Sequence, residues 1–144
     1  MKTKAVLSAI RGDWRKLMKV ESTKKIINGD VYSINEAELI AVGTNLAIPE
    51  DEEVTLDILR YYAETKGEFV AEMLYRTTDG EYFVYGMGGN KSEYLTAYVS
   101  GTGAGSDIWL VDESEAVSFF EHYNLVDEYE RFLEGRKNEI ERNR

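Results

Sequence analysis

Leu7, Ile10, Trp14 and Leu17 recur at i, i+3, i+7 and i+10, one stripe of a helix that Val6 and Met18 widen. The pattern predicts a helix from about Thr3 to Val20, weakened at Gly12 by about 1 kcal/mol relative to alanine. Lys24–Ile27 and Val31–Ser33 flank Asn28-Gly29-Asp30, and Asn-Gly supplies the positive φ angles of a type I′ turn. A tight hairpin is expected there. Asn35–Val42 reads as a short helix, capped by Ser33 or Asn35, with Ala37, Leu39, Ile40 and Ala41 inside it.

Pro49 followed by Glu50-Asp51-Glu52-Glu53 suits a helix start, because proline needs no N–H there and acids favour the positive dipole end. Val54, Leu56 and Ile58 alternate instead, as in a strand, and Tyr61 and Tyr62 follow. The balance favours a strand over 54–63. Glu68–Thr77 and Glu81–Gly86 are rich in Phe, Val and Tyr and are joined by Thr78-Asp79-Gly80. Asp-Gly again signals a hairpin. A two-residue loop sets Tyr75 opposite Val84 and Leu74 opposite Tyr85. Large side chains then lie on both faces, so the hairpin is expected to be covered on both sides.

Tyr94–Val99 and Ile108–Val111 read as further strands. Asp112-x-x-Glu115 is a capping box opening a helix over Ala116, Val117, Phe119, Phe120 and Tyr123, with Asn124 as its stop. Asp127-x-x-Glu130 starts a second helix through Tyr129, Phe132 and Leu133, and the polar tail from Glu134 is expected to fray. The expected class is α+β: an antiparallel β-meander or hairpin sheet, flanked by an N-terminal helix and two C-terminal helices. The expected division is a basic helical arm over 1–23, a single α+β domain over 24–133 and a polar tail over 134–144.

Composition narrows the chemistry. A chain of 144 residues with 43% hydrophobic positions can build one real core. Without cysteine there is no thiolate metal site, disulfide or cysteine nucleophile, and a lone His122 excludes two-histidine metal motifs. No apolar run is long enough to span a membrane, and no leader pattern opens the chain, so a cytoplasmic protein is expected.

Charge is laid out unevenly. Residues 1–25 hold eight basic and two acidic side chains, whereas 26–133 hold five basic and 22 acidic ones. The arm is thus +6 and the body −17, within a total of −10. Opposite patches attract, so the arm docks most cheaply on an acidic body, its own or a neighbour's, which leaves a homo-oligomer open. A body of this charge repels phosphates and anionic membranes, so neither strong direct nucleic-acid binding nor membrane binding is expected.

Candidate motifs for chemistry are weak. Gly101-Thr102-Gly103-Ala104-Gly105 resembles a dinucleotide loop, but the strand-like Ile108-Trp109-Leu110-Val111 follows where a helix is needed. Gly88-Gly89-Asn90-Lys91-Ser92 lacks the glycine that a phosphate loop requires before its lysine. His122 has no nucleophile beside it in the sequence. No catalytic, cofactor or metal residue is nominated. Gly86, Gly88 and Gly89 are expected to form a backbone-determined turn, through positive φ or through packing where a Cβ would clash.

Several blocks carry a family resemblance. They are Lys25-Ile26-Ile27-Asn28-Gly29 with Tyr32, Glu36-Ala37-Glu38-Leu39-Ile40-Ala41, and Glu72-Met73-Leu74-Tyr75-Arg76-Thr77. Gly80-Glu81-Tyr82-Phe83-Val84-Tyr85-Gly86-Met87-Gly88-Gly89 with Tyr94 follows, and Ile108–Val111 with Glu113–Phe120 closes the pattern. Over about residues 24–133 the chain resembles a family of small proteins of bacteriophages and integrated mobile elements. Met87 stands where that family usually has an acid, and the basic arm and part of 46–67 are additions. The resemblance implies an accessory protein of a mobile element, a class that includes inhibitors of host defence.

Two main functions remain open, beside a weaker third, a nucleic-acid binder acting through residues 2–25. One is a non-enzymatic protein that binds a host protein, such as an acidic inhibitor of a nucleic-acid-binding defence enzyme. Its candidate contact residues are Glu50, Asp51, Glu52, Glu53, Asp57, Tyr85, Gly86, Gly88, Gly89 and Lys91. Tyrosine set among acids is an interface composition. The other is a small-ligand module or small enzyme built on the Gly86–Gly89 loop with Lys91 and Glu93.

Overall fold

A computed structural model describes residues 23–49, 51–94 and 105–142. The expected N-terminal helix and most of the expected strand 94–99 lie outside them. Strands β1 (Lys24–Ile27) and β2 (Asp30–Ser33) form the first hairpin. Asn28 and Gly29 both take positive φ, 53° and 87°, as the Asn-Gly signal requires. Lys25 ties this hairpin to a distant strand, donating from Nζ to Asp107 Oδ1 at 2.8 Å and to the Ile108 carbonyl at 3.1 Å.

Residues 35–42 do not form the expected helix. Ser33 spends its capping capacity on a turn, its Oγ accepting from the Asn35 N–H and its carbonyl from the Glu36 N–H. The chain then runs straight as β3 (Glu38–Thr44). Val42 packs on one face of the sheet and Ala41 on the other. An apolar run buried on two sides imitates a helix in sequence, and its short length was the better guide.

The opposite correction applies to 54–63, which is helical in α1 (Leu56–Thr65) rather than a strand. Thr55 caps it, Oγ1 accepting from the Ile58 N–H at 3.2 Å, and Asp57 sits in the first turn. Val54, the first member of the apparent alternation, lies outside the helix and is 49% exposed. The buried face is Ile58, Leu59 and Ala63, with Tyr62 beside them, which is a helical period.

Strands β4 (Val70–Arg76) and β5 (Tyr82–Gly88) form the expected central hairpin, one residue out of the expected register. Tyr75 faces Phe83 and Leu74 faces Val84. The connection is three residues, not two. Thr77 and Glu81 close the ladder, Gly80 N–H donates to the Thr77 carbonyl at 3.0 Å, and Gly80 sits at φ 87°. A turn followed by a left-handed glycine adds that residue. The slip pairs Tyr75 with Phe83 on one face and Leu74 with Val84 on the other. The rings of Tyr75 and Phe83 stack at 5.2 Å.

Strand β6 (Gly105–Val111) completes an antiparallel meander in the order β3-β4-β5-β6 among the described residues. One face is covered by α1 and the β1-β2 hairpin over Tyr32, Phe69, Met73, Phe83, Tyr85 and Ile108. The other is covered by α2 (Glu113–Tyr123) and α3 (Val126–Arg142) through Ala116, Phe119, Phe120 and Phe132. The protein is α+β, and the sheet is covered on both sides as its strands suggested.

The capping box forms as read, with Asp112 and Glu115 exchanging bonds at 2.8 and 2.9 Å, and Asn124 ends α2 in the left-handed region. Asp112→Ala should therefore cost about 1 kcal/mol in urea unfolding, with the m-value unchanged. The segment from Glu134 does not fray but continues α3 to Arg142. Arg76 Nη2 donates to both carboxylate oxygens of Glu139 at 2.8 Å, and Arg136 reaches Glu113 at 2.7 Å. Those long-range pairs hold a stretch that has little apolar surface of its own. Among the described residues, no helix is long and apolar enough to cross a membrane.

Candidate functional site

Gly86 and Gly88 are strand residues of β5, not a turn, and neither has positive φ. Close packing is what they provide. Gly43, Glu72 and Gly86 are direct neighbours across three strands, on the face that α2 covers. A Cβ on Gly43 would sit 2.2 Å from the Tyr123 ring, and one on Gly86 would sit 2.0 Å from the Tyr94 hydroxyl. Two glycines thus open room for two tyrosines beside one carboxylate. Tyr94 Oη donates to Glu72 Oε2 at 2.5 Å, and Tyr123 donates to Glu72 Oε1. Trp109 stacks on Tyr94 with ring centroids 5.9 Å apart. Burial, and then the hydrogen bond to Glu72, raises both phenols above their ordinary pKa. They stay protonated donors, and the carboxylate they hold is a fastening between the sheet, α2 and the 89–94 turn.

The remaining glycines serve the same turn. A Cβ on Gly88 would meet Ser92 Oγ at 2.2 Å, and one on Gly89 would meet the Lys66 and Gly67 carbonyls at 2.4 and 2.5 Å. Ser92 Oγ donates to the Gly89 carbonyl at 2.7 Å and accepts from the Tyr94 N–H at 3.1 Å. The space that a small ligand would need around Gly86–Gly89 is filled by the chain itself. Tyr85 is 0% exposed, on the other face. Lys91 is anchored by its N–H to the Gly67 carbonyl at 2.7 Å, and its side chain is exposed.

The acidic run is divided. Glu50 lies outside the described residues, and Asp51 and Glu53 are exposed. Glu52 is half-buried and accepts from the Tyr62 hydroxyl, whose pKa is raised by that bond and by burial. Asp57 is 2% exposed and lies 3.9 Å from Arg60 within α1. Only part of the run therefore presents charge to solvent. His122 is exposed, its ring against the edge of Tyr123.

A second acidic site was not legible in the chain. The two hairpin turns meet, and Asp30 and Glu36 come to face Asp79 and Glu81 around a cleft of about 210 Å³. Tyr32, Ser33, Thr77 and Thr78 supply hydroxyls to its walls, and no lysine or arginine is among its described lining residues. Tyr32 Oη donates to the Glu81 carboxylate at 3.1 and 3.2 Å. Burial and that carboxylate raise the Tyr32 pKa. The sequence signal was present in Asn28-Gly29-Asp30 and Asp79-Gly80-Glu81, each read as a turn alone. Only the stacking of one hairpin on the other joins them. Among the described residues no group of three or more acidic or histidine side chains is arranged to hold a metal ion.

Comparison of the chain with protein-family models, with curated proteins and with solved structures gives no match.

Proposed function

We propose that this chain is a non-enzymatic accessory protein that binds a basic surface of another protein, and that the cleft between its two hairpin turns is the contact. One observation carries the reading. Four carboxylates from separate segments converge on that cleft without a described cation among its walls. Like charges lining one cleft repel one another, so their placement does nothing for folding through attraction among themselves. A lysine- or arginine-rich partner groove relieves the repulsion and is steered to the cleft by the acidic body. Exposed Asp51 and Glu53 extend the same sign of charge on the surface. A groove that ordinarily receives nucleic-acid phosphates has the matching chemistry. The resemblance to proteins of phages and mobile elements supports a host defence enzyme as its owner.

The test pairs the full chain with a variant carrying Asp30→Asn, Glu36→Gln, Asp79→Asn and Glu81→Gln. Glu81→Gln keeps an acceptor for Tyr32, so the fold should survive. A partner captured from host lysate should be basic, should bind the chain and duplex DNA in competition, and should associate about tenfold more slowly with the variant or in high salt. An association rate indifferent to both changes sinks the proposal.

A further inference from the structure

The face of the β1-β2 hairpin turned away from the sheet carries an apolar pair. Ile26 and Val31 are direct cross-strand partners, and they are 72% and 58% exposed. Lys25 and Tyr32, the next pair, point the other way, to β6 and to the core. Val31 is also a wall of the acidic cleft, so the exposed pair and the four carboxylates form one continuous surface. The charge on that surface has one sign. Burial raises the Tyr32 pKa first, and the charges that raise it further are those of Glu81, Asp30 and Asp79. Arg76 reaches the Gly80 turn from β4 but is committed to Glu139.

The chain itself holds an occupant of matching pattern. Residues 2–21 carry six basic and two acidic side chains. Leu7, Ile10, Trp14 and Leu17 make an apolar stripe in the sequence, and Lys4, Arg11, Arg15 and Lys19 recur at the same period about a third of a turn away. Four bases thus flank one apolar stripe, as four carboxylates line the cleft beside the Ile26–Val31 pair. The segment is also joined to the chain next to its target. Thr23 leads into β1, its carbonyl accepts from the Ile34 N–H at 3.0 Å, and Lys24 pairs with Ser33, a cleft wall. The point of attachment is therefore about 5 Å, one strand spacing, from the cleft. A strand of four residues is about 13 Å long, which about nine residues cover even when wound as a helix.

We propose that residues 2–21 dock on this surface of their own chain, with Ile10, Trp14 and Leu17 on Ile26 and Val31 and the basic stripe along Asp30, Glu36, Asp79 and Glu81. The cleft then has an internal competitor, and a basic partner enters it only by displacing the segment. A short tether holds the segment at a roughly millimolar effective concentration, so docking within one chain outcompetes docking on a neighbour in dilute solution. The inference rests on the reading of the cleft as a receiver of basic side chains, and its test separates the two.

The test is NOE spectroscopy of the full, isotope-labelled chain at low salt. Contacts from the Trp14 indole to the Ile26 and Val31 methyl groups are expected. Amide shifts at residues 30, 31, 36, 79 and 81 are expected when Lys4→Gln, Arg11→Gln, Arg15→Gln and Lys19→Gln are combined. That variant and Ile26→Ser should each lose the indole contacts, with the core resonances unchanged. A capped octalysine peptide is the probe for competition. It should bind the four-glutamine variant about tenfold more tightly than the parent, as for a cleft covered about nine-tenths of the time. The difference should vanish when Asp30→Asn, Glu36→Gln, Asp79→Asn and Glu81→Gln are added to both proteins, which removes the general effect of net charge. Absence of the indole contacts, their survival in the four-glutamine variant, or equal affinity of the peptide for variant and parent overturns the proposal. So does an affinity difference that persists without the cleft carboxylates. Contacts seen only between labelled and unlabelled chains in a mixed sample also overturn it, by placing the segment on a second copy. A peptide that binds neither protein counts against the partner contact alone, since the indole contacts decide the docking by themselves.

Discussion

Gly86→Ala is expected to destabilise the protein by about 2–3 kcal/mol, a large effect for one added methyl group. The new Cβ falls 2.0 Å from the Tyr94 hydroxyl and 2.4 Å from Cζ. That ring cannot step aside cheaply. It stacks on Trp109, its hydroxyl is bound to Glu72, and its own N–H is tied to Ser92. Gly43→Ala should cost a similar amount through the Tyr123 ring, which its Cβ would meet at 2.2 Å. Each substitution frees one hydroxyl from the same carboxylate, so the double variant should cost less than the sum of the two. Urea midpoints of the two single variants and the double variant measure this. Gly135→Ala is the control, since it adds a methyl group in open space and should stabilise. A Gly86→Ala protein as stable as the parent would show that the tyrosine moves freely and that the fastening at Glu72 contributes nothing.

The glycines were legible as positions that exclude a Cβ, and their mechanism was not. Glu72 stands in β4 between Ala71 and Met73, where the alternation suggests an ordinary solvated acid. Its partners Tyr94 and Tyr123 lie 22 and 51 residues away, beyond any local pattern. The capping box at Asp112, the Asn28-Gly29 turn and the Asn124 stop were all readable, because each is settled within a few residues. The exchange of helix and strand between 35–42 and 54–63 has the opposite cause. Both runs are short and apolar, and only the partner decides. Residues 38–44 complete a sheet edge against β4, whereas 56–65 cover a sheet face. The one-residue register error at the central hairpin is a smaller case, resting on whether Gly80 ends a two- or a three-residue loop. The acidic cleft shows the same limit, because turn acids far apart in the chain form it.

Alkaline pH is expected to unfold the protein in a cooperative step that begins near pH 10. Tyr94 and Tyr123 carry pKa values raised above the ordinary 10, first by burial and then by the Glu72 carboxylate they donate to. Tyr75 and Tyr82 are raised chiefly by burial. In the unfolded chain these phenols ionise near 10, so below that pH both states keep the proton and the contribution to stability is complete. Above it the unfolded chain releases protons that the folded chain retains, and stability falls as pH rises. For Tyr94 and Tyr123 the loss is roughly 1 kcal/mol each per pH unit, after discounting for solvent screening of partly wetted groups. A stability of 5–15 kcal/mol, usual for a domain, is exhausted within a few pH units by several such groups together. Phenolate absorbance followed alongside near-ultraviolet circular dichroism tests this. A first group of the ten tyrosines should ionise smoothly, and the rest should ionise only as tertiary structure is lost. Glu72→Gln removes the charge that opposes ionisation of Tyr94 and Tyr123, so it should make the alkaline loss of stability shallower. Smooth ionisation of all ten tyrosines near pH 10 with the fold intact would show that neither burial nor Glu72 holds these phenols in their neutral form.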